Sequence, residues 1–252
     1  MPKKPSNILS VGKAFTILTC LSQADTPLSL RELAEKMEYP KSTIYSMLST
    51  MREYRAISQD DGGRYCLGPL LFELGSSVTR QWDITSISRP YLQSLSDATN
   101  ESVCIAMLDG DFALVLDCVA AKSPMRVVTD AGTHLPLYAS ALGKALLAHM
   151  PAQQSNAYIS QVSLIQLTPH TITDRRLLAD ELALITKNGC AIENGEQRIG
   201  MRAVGAPIFG FGGAVKYSIA VTGMLKRTTD ETFVEAEKLV INAAAEISKK
   251  LM

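Results

Sequence analysis

The stretch from residue 29 to residue 57 constrains the fold of this chain most, because it predicts two short helices joined by a tight turn. Ser29 and Glu32 have the S-x-x-E spacing of a capping box, which marks the start of a helix. Pro40 disfavours helical geometry at the residue before it, so the first helix should end there and the second should begin directly after it. Apolar residues recur at helical spacing in both segments, at Leu30, Leu33, Ala34 and Met37 and then at Ile44, Met47, Leu48 and Met51.

A third helix and a β-hairpin flank the helix pair. The hairpin is predicted from residues 55–59 and 64–67, which surround an Asp-Asp-Gly-Gly turn. Three helices followed by a hairpin are the outline of a winged helix-turn-helix domain. The upstream helix should pack on the pair through one apolar side, made of Val11, Ala14, Phe15, Leu18 and Leu21.

The second helix of the pair predicts DNA binding, because its polar face carries hydroxyls and cationic groups. The amino-terminal part of a recognition helix reaches base edges first, whereas Arg52 and the wing residue Arg64 should contact phosphates and fix the register. Helix-turn-helix outlines also serve as protein–protein modules, and this alternative stays open here. The candidate DNA-binding residues are Lys41, Ser42, Thr43, Tyr45, Ser46, Ser49, Arg52 and Arg64.

The charge balance limits how DNA can be held. The chain has 25 Lys and Arg against 25 Asp and Glu, so no global field attracts nucleic acid. Affinity must therefore come from locally placed cations and from dimerisation.

The cysteines and the hydropathy predict the compartment. No C-x-x-C pair is present, and we expect buried free thiols. No signal-peptide pattern follows the first residues, and no run reaches the roughly 18 apolar residues of a membrane span. We therefore expect a cytoplasmic protein. The five cysteines are Cys20, Cys66, Cys104, Cys118 and Cys190.

The rest of the chain predicts a linker helix and an α+β domain with a largely antiparallel sheet flanked by helices. The linker helix begins after Gly68 and carries an apolar stripe that a second copy of the protein would cover. That stripe is Leu70, Leu71, Leu74 and Val78. Strands are predicted at 102–108, 112–119, 125–128, 190–192, 203–209 and 215–222, and helices at 87–95, 137–150, 174–188 and the C-terminus. The expected organisation is a disordered arm (1–7), a winged helix-turn-helix (8–67), a linker helix (68–82) and an effector domain (83–252).

Taken together, residues 8 to 251 resemble the IclR-type family of bacterial transcriptional regulators. The resemblance is carried by segments 10–14, 30–48 and 64–68, and most specifically by 134–148, with 193–196 and 203–209 further on. It implies a winged-helix DNA-binding domain, a GAF-like effector domain, and homodimers that often pair into tetramers on operator DNA. It also implies control of operons for the catabolism of small organic, sugar or aromatic acids, more often by repression than by activation.

The segment 134–148 also predicts where the effector binds. An extended stretch turns into a helix at Ser140, and a helix N-terminus offers free N–H groups and positive partial charge to a carboxylate. Ser140 could cap the helix or donate to a ligand, and Glu196 could accept from a ligand hydroxyl. The resemblance implies a pocket lined by Val127, Leu135, Ala141, Leu142, Glu196, Val204, Ala206, Ala220 and Thr222. Leu135, Val204 and Ala220 could equally be ordinary core, and the lack of aromatic residues favours a small polar acid.

No catalytic constellation accompanies these features. The three histidines lack metal-ligand spacing, and no nucleophile elbow, phosphate loop or dinucleotide fingerprint is present. The sequence therefore predicts a ligand-responsive DNA-binding regulator without catalytic activity, metal or cofactor. The alternatives are an activator of an aromatic-acid pathway and a ligand-binding protein without DNA affinity.

Overall fold

The structure, a computed structural model, describes residues 8–81, 83–227 and 230–252. The chain divides into two compact units, one up to residue 82 and the other from residue 83. The predicted disordered arm at 1–7 and the last residue of the predicted linker, Trp82, lie outside the described residues.

The first unit is a winged helix-turn-helix, as predicted. It consists of α1 (Leu9–Ser22), α2 (Leu30–Met37), α3 (Lys41–Glu53) and the antiparallel strands β1 (Ile57–Gln59) and β2 (Tyr65–Leu67). The capping box that begins α2 is formed, because the Ser29 N–H donates to Glu32 Oε2 at 2.7 Å and the Glu32 N–H donates to Ser29 Oγ at 3.3 Å. Pro40 is the N-cap of α3.

The core of the first unit is built where α1, α2 and α3 meet under the hairpin. Ile44 and Leu48 of α3 pack there with Ile17 of α1, and all three are at most 1% exposed. The predicted packing side of α1 is wrong for Val11 and Phe15, which are 50% and 65% exposed. The helix is rotated so that Ile17, outside the predicted stripe, fills the core instead.

The helix α4 (Pro69–Gln81) follows the hairpin. Leu70 and Leu71, at its start, are half-buried. Further along, Phe72, Leu74 and Val78 are 78%, 54% and 41% exposed, so the predicted apolar stripe is covered only at its beginning.

Within the described residues, the second unit builds one antiparallel sheet of six strands in the order β5-β4-β3-β8-β7-β6. The strands are β3 (Ser102–Asp109), β4 (Phe112–Val119), β5 (His134–Pro136), β6 (Ala191–Asn194), β7 (Met201–Phe209) and β8 (Val215–Met224). The helices are α5 (Asp83–Thr99), α6 (Ala141–His149), α7 (Ala152–Gln161), α8 (Arg175–Asn188) and α9 (Asp230–Leu251). The predicted α+β class with an antiparallel sheet is confirmed.

Three local predictions in this unit were wrong. No strand forms at 125–128, where the Val127 carbonyl accepts from the Ser102 hydroxyl at 2.6 Å instead of joining a ladder. Instead of residues 125–128, β5 forms the edge of the sheet next to β4. The helix predicted to begin at residue 137 begins only after Ser140, which is its N-cap. The helix α7 was not predicted.

The alternation of side chains along β7 separates two layers of helices. Gly205 faces α6 so closely that an added Cβ would lie 2.8 Å from the Ala141 carbonyl oxygen. Arg202, three positions away and therefore on the other face, stacks on Phe233 of α9 at 3.8 Å. One face of the sheet thus carries α6, and the opposite face carries α9.

Candidate functional site

The polar face of α3 is the first candidate site. The opposite, apolar side of the helix is buried through Ile44, Leu48 and Met51. Five of the eight predicted DNA-contact side chains are exposed: Lys41, Ser42, Tyr45, Ser46 and Arg52. Thr43 and Ser49 are half-buried.

Hydroxyls on this face are oriented by the helix itself. Ser46 Oγ donates to the Ser42 carbonyl at 3.0 Å, and Thr50 Oγ1 donates to the Ser46 carbonyl at 3.1 Å. Each hydroxyl has then used its proton and keeps its lone pairs, so it can accept from a base amino group. Tyr45, 56% exposed, adds a large side chain with a polar tip to the same helix.

The two predicted phosphate contacts, Arg52 and Arg64, each bond to a group of the same domain, although Arg52 is exposed. Arg52 Nη1 donates to Gln59 Oε1 at 2.6 Å, which ties α3 to the hairpin. Arg64 Nε donates to the Pro27 carbonyl at 2.7 Å, and its Nη2 pairs with Glu32 at 3.0 Å. The sequence did not predict these partners. Arg64 shares its charge with a carboxylate, so its predicted phosphate contact would need a different arrangement of that pair.

The second candidate site is a cavity between the start of α6 and the sheet. Its volume open to a water-sized molecule is about 30 Å³, enough for one water and far below the several hundred Å³ of a typical ligand pocket. A ligand would therefore have to enlarge it. The cavity is lined by Cys104, Thr129, Leu135, Ser140, Ala141, Leu142, Glu193, Gln197, Met201, Ala203, Ala220 and Thr222.

The start of α6 forms one wall of this cavity. The Ser140 hydroxyl caps the helix, accepting from the Gly143 N–H at 3.0 Å and donating to the Pro136 carbonyl at 2.8 Å. Ala141 and Leu142, the first two residues of the helix, both line the cavity. Because the first N–H groups of a helix lack intrahelical partners, they offer donors and positive partial charge to an anion. Gly143 permits this geometry, since a Cβ there would lie 2.5 Å from Leu137 Cα.

Glu193 is the carboxyl group in the cavity wall. It is 2% exposed, and its Oε1 accepts from the Gln197 N–H at 3.1 Å. Burial raises the pKa of Glu193 to about 7, and the nearby charge of Glu196 adds to the effect. Near neutral pH the group is therefore often protonated, and it can donate a hydrogen bond to a ligand oxygen.

The predicted acidic residue, Glu196, does not line the cavity. Its Oε1 accepts from Lys144 Nζ at 2.7 Å, and Lys144 also donates to Glu181 at 3.0 Å. Lys144 is fully buried. Its position among apolar residues was the sequence signal for a buried acidic partner, because a buried cation requires one. The prediction that Glu196 lines the pocket is therefore corrected for this cavity, where Glu193 is in the wall instead.

Three other predicted pocket residues also lie elsewhere. Val204 and Ala206 are on the α9 face of β7, because they alternate with Ala203 and Gly205, which face α6. Val127 is half-buried in the segment before β5 and does not line the cavity. The remaining predicted residues do line it: Leu135, Ser140, Ala141, Leu142, Ala220 and Thr222.

A disulfide joins Cys104 and Cys118, so the expectation of free thiols was wrong for this pair. The two cysteines are separated by 14 positions along the chain and are opposed across β3 and β4. Cys20, Cys66 and Cys190 are free.

The described residues provide neither a metal site nor a membrane-spanning helix. They contain no group of three or more His, Cys, Asp or Glu side chains placed to hold a metal ion. No helix in the described ranges is long and apolar enough to cross a membrane.

Known proteins match this chain along nearly its whole length. Family models match at residues 10–61, described as the IclR helix-turn-helix domain, and at residues 76–249, described as the C-terminal part of the bacterial transcriptional regulator IclR. The HTH-type transcriptional regulator KipR of Bacillus subtilis is 32% identical, with 89% of this chain and 90% of KipR covered. The HTH-type transcriptional repressor AllR of Escherichia coli is 27% identical, with 96% and 90% covered. The crystal structure of Thermotoga maritima IclR has a TM-score of 0.80 at 32% identity and covers 97% of this chain and 99% of its own.

Proposed function

This chain belongs to the IclR family of bacterial transcriptional regulators, and we propose that it is a repressor whose hold on operator DNA changes when a small carboxylic acid enters the cavity at the start of α6. Its relatives are DNA-binding regulators and not enzymes. The name of AllR, a repressor, supports repression over activation. The regulated genes would serve the catabolism of that acid, and the protein would act in the cytoplasm.

The exposed polar face of α3 is the observation that supports DNA binding. In this proposal Lys41, Ser42, Thr43, Tyr45, Ser46 and Ser49 approach bases or the adjacent backbone in the major groove, and Arg52 contacts phosphate. Arg64 then acts mainly by holding the hairpin to α2 through Glu32, with any phosphate contact secondary. Residues that touch bases set sequence preference, whereas a phosphate contact changes affinity for all sequences alike.

The proposed binding of an effector depends on the hydrogen-bond donors that line the cavity. The first N–H groups of α6 would bind a carboxylate, and protonated Glu193 would donate to a second oxygen. Thr129, Gln197 and Thr222 add polar groups to a wall whose other residues are mostly apolar. This set suits a small polar acid better than a flat aromatic one, because the cavity is small and its lining includes no Phe, Tyr or Trp.

Assembly is also part of the proposal. The exposed apolar side chains of α4, Phe72, Leu74 and Val78, would be covered by a second copy of the chain. A dimer reads two half-sites and so gains affinity that balanced overall charge does not supply. Pairing of dimers into tetramers would follow on DNA. Light scattering during size-exclusion chromatography would show a monomer if this part is wrong.

A gel-shift titration tests the DNA half, with the region upstream of the protein's own gene as the probe. Tyr45→Ala should weaken discrimination between that region and unrelated DNA by about tenfold, as expected for loss of a base contact. Tyr54→Ala is the matched control, since Tyr54 is 68% exposed at the C-cap of α3. A folded protein that shifts no DNA at low salt would leave a ligand-binding protein without DNA affinity.

A thermal-shift screen of small carboxylic acids tests the effector half. An acid that raises the unfolding temperature should also change the gel shift. Glu193→Gln should still be stabilised by that acid, because the Gln amide can donate a hydrogen bond to it. Leu142→Trp, which would fill the cavity, should abolish this stabilisation. If the acid stabilises both variants equally, it binds elsewhere.

A further inference from the structure

We propose that the Cys104–Cys118 disulfide is a reversible redox site in the wall of the effector cavity, and that thiol–disulfide exchange at this bridge changes the cavity and the DNA affinity. The change in DNA affinity rests on the function proposed above. The redox site itself depends only on the second unit of the chain.

The bridge lies on the cavity face of the sheet. Cys104 of β3 and Cys118 of β4 are direct partners, with Cα atoms 4.2 Å apart. That separation is typical of a non-hydrogen-bonded antiparallel pair, in which side chains approach most closely. On its other side Cys104 is paired with Ala220, and both residues line the cavity.

The two sulfurs differ in accessibility. Cys104 is 4% exposed, whereas Cys118 is only half-buried. A dithiol reductant would therefore attack the Cys118 sulfur, form a mixed disulfide with it and expel Cys104 as a thiolate. The second thiol of the reductant then displaces Cys118, so the bridge gains two electrons and two protons and the reductant leaves as a disulfide.

Oxidation runs by a separate route. A hydroperoxide converts the Cys118 thiolate to a sulfenic acid and is itself reduced to an alcohol or water. The Cys104 thiol then displaces the hydroxyl of the sulfenic acid as water and restores the bridge. In cytoplasmic proteins disulfides are usually transient, catalytic or redox-sensing, which fits a bridge that opens and closes.

Opening the bridge must alter the cavity. Two sulfurs that are no longer bonded cannot stay at covalent distance, and in this proposal it is the Cys104 side chain that rotates away from Cys118. The free space beside Cys104 is the cavity, whose open volume of about 30 Å³ is enough to hold a water molecule. The reduced Cys104 thiol would therefore compete with a ligand for this space.

The bridge is also tied to α5. Arg89 of α5 donates from Nη1 to the Cys118 carbonyl at 3.3 Å and to Asp117 at 2.6 Å. Asp117 in turn accepts from the Cys118 N–H at 2.8 Å. A shift of Cys118 would thus reach the helix that follows α4 in the chain. The bridged and open forms are two discrete states, which a coupling between distant sites requires.

The test uses the full-length protein, equilibrated with dithiothreitol or with oxidised glutathione and then alkylated with a maleimide in denaturant. The oxidised sample should carry three reactive thiols, at Cys20, Cys66 and Cys190, and the reduced sample all five cysteines. The same samples are titrated with the upstream DNA fragment. The Kd should differ between them by at least about fivefold, the lower end of typical allosteric couplings.

Two double variants show whether the change in DNA affinity comes from the bridge or from the free cysteines. Cys104→Ala with Cys118→Ala should bind DNA alike under both conditions, whereas Cys20→Ser with Cys66→Ser should keep the difference. Five thiols after oxidation, or a bridge that resists dithiothreitol in the folded protein, would overturn the redox site. Equal Kd values for the two wild-type forms would overturn the coupling.

Failure of the proposed function has a different signature. If neither the oxidised nor the reduced protein shifts DNA, the proposal of a DNA-binding regulator fails. The redox site is then tested by comparing amide hydrogen exchange in β3 and at the start of α6 between the two proteins. Faster exchange in the reduced form supports it, and identical exchange overturns it.

Discussion

Replacing Glu193 by Gln should remove a specific pH dependence from the stability of the second unit. Glu193 is buried in the cavity wall, and burial raises the pKa of its carboxyl group from 4.5 to about 7. Gln keeps the shape and can still accept from the Gln197 N–H, but it cannot ionise. The variant therefore isolates the effect of the proton.

The sign follows from proton linkage. Between pH 4.5 and 7 the folded protein holds a proton at Glu193 that the unfolded chain has released. Rising pH therefore favours the unfolded chain across this window, and the contribution of the protonated carboxyl to stability is full below pH 4.5 and lost above 7. The difference between the two pKa values corresponds to about 3 kcal/mol in the free energy of unfolding.

Urea unfolding at pH 5, 6, 7 and 8, followed by circular dichroism, measures this effect. The free-energy difference between wild type and Glu193→Gln should change by about 2.5 kcal/mol from pH 5 to pH 8, and the wild type should become less stable relative to the variant as pH rises. Glu231→Gln on the exposed surface of α9 is the matched control and should follow the wild type. Parallel profiles for wild type and Glu193→Gln would refute the assignment of a raised pKa to this carboxyl group.

Three further predictions concern packing and charge. Gly143→Ala should destabilise the second unit by about 1–3 kcal/mol in urea unfolding, because the added Cβ would lie 2.5 Å from Leu137 Cα; an unchanged midpoint would show that the helix start can shift freely. Lys144→Met should cost about 3–5 kcal/mol by leaving Glu196 buried without its cation, and adding Glu196→Gln should recover part of the loss; a double variant no better than the single one would contradict the pairing. Leu48→Ala, at a site 1% exposed under α3, should cost about 2–5 kcal/mol in thermal or urea unfolding, whereas a loss below 1 kcal/mol would mean that the first unit's core is loosely packed.

The parts that were predictable from sequence are those fixed by near neighbours along the chain. The capping box of α2 joins Ser29 to a residue three positions away, and the stop at Pro40 acts on the residue before it. The Asp-Gly-Asp turn between β3 and β4 is equally local. Likewise, the Asp174 side chain caps α8 and Gly189 ends it in the left-handed region. Such signals need no knowledge of the rest of the fold.

The candidate effector cavity was only partly predictable, because its walls come from distant segments. Glu193 and Glu196 are three positions apart, yet one lines the cavity and the other pairs with Lys144, 52 positions away in the chain. Nothing in the local pattern distinguishes the two carboxylates. Val204, which was assigned to the pocket by resemblance, lies on the face of β7 that packs against α9 and not on the cavity face.

By itself, the sequence determined most of the helices and strands, the helix-turn-helix and the family, because periodicity, caps and turns act over a few residues; it missed β5 and α7. Only the tertiary structure decided which carboxylate enters the cavity, that Cys104 and Cys118 form a bridge, and that Arg64 pairs with Glu32. Strand register and the stacking of α6 on the sheet fix the first two contacts, and the third joins residues 32 positions apart in the first unit. They join residues whose separation along the chain leaves no periodic trace, so they exist only once the chain has packed.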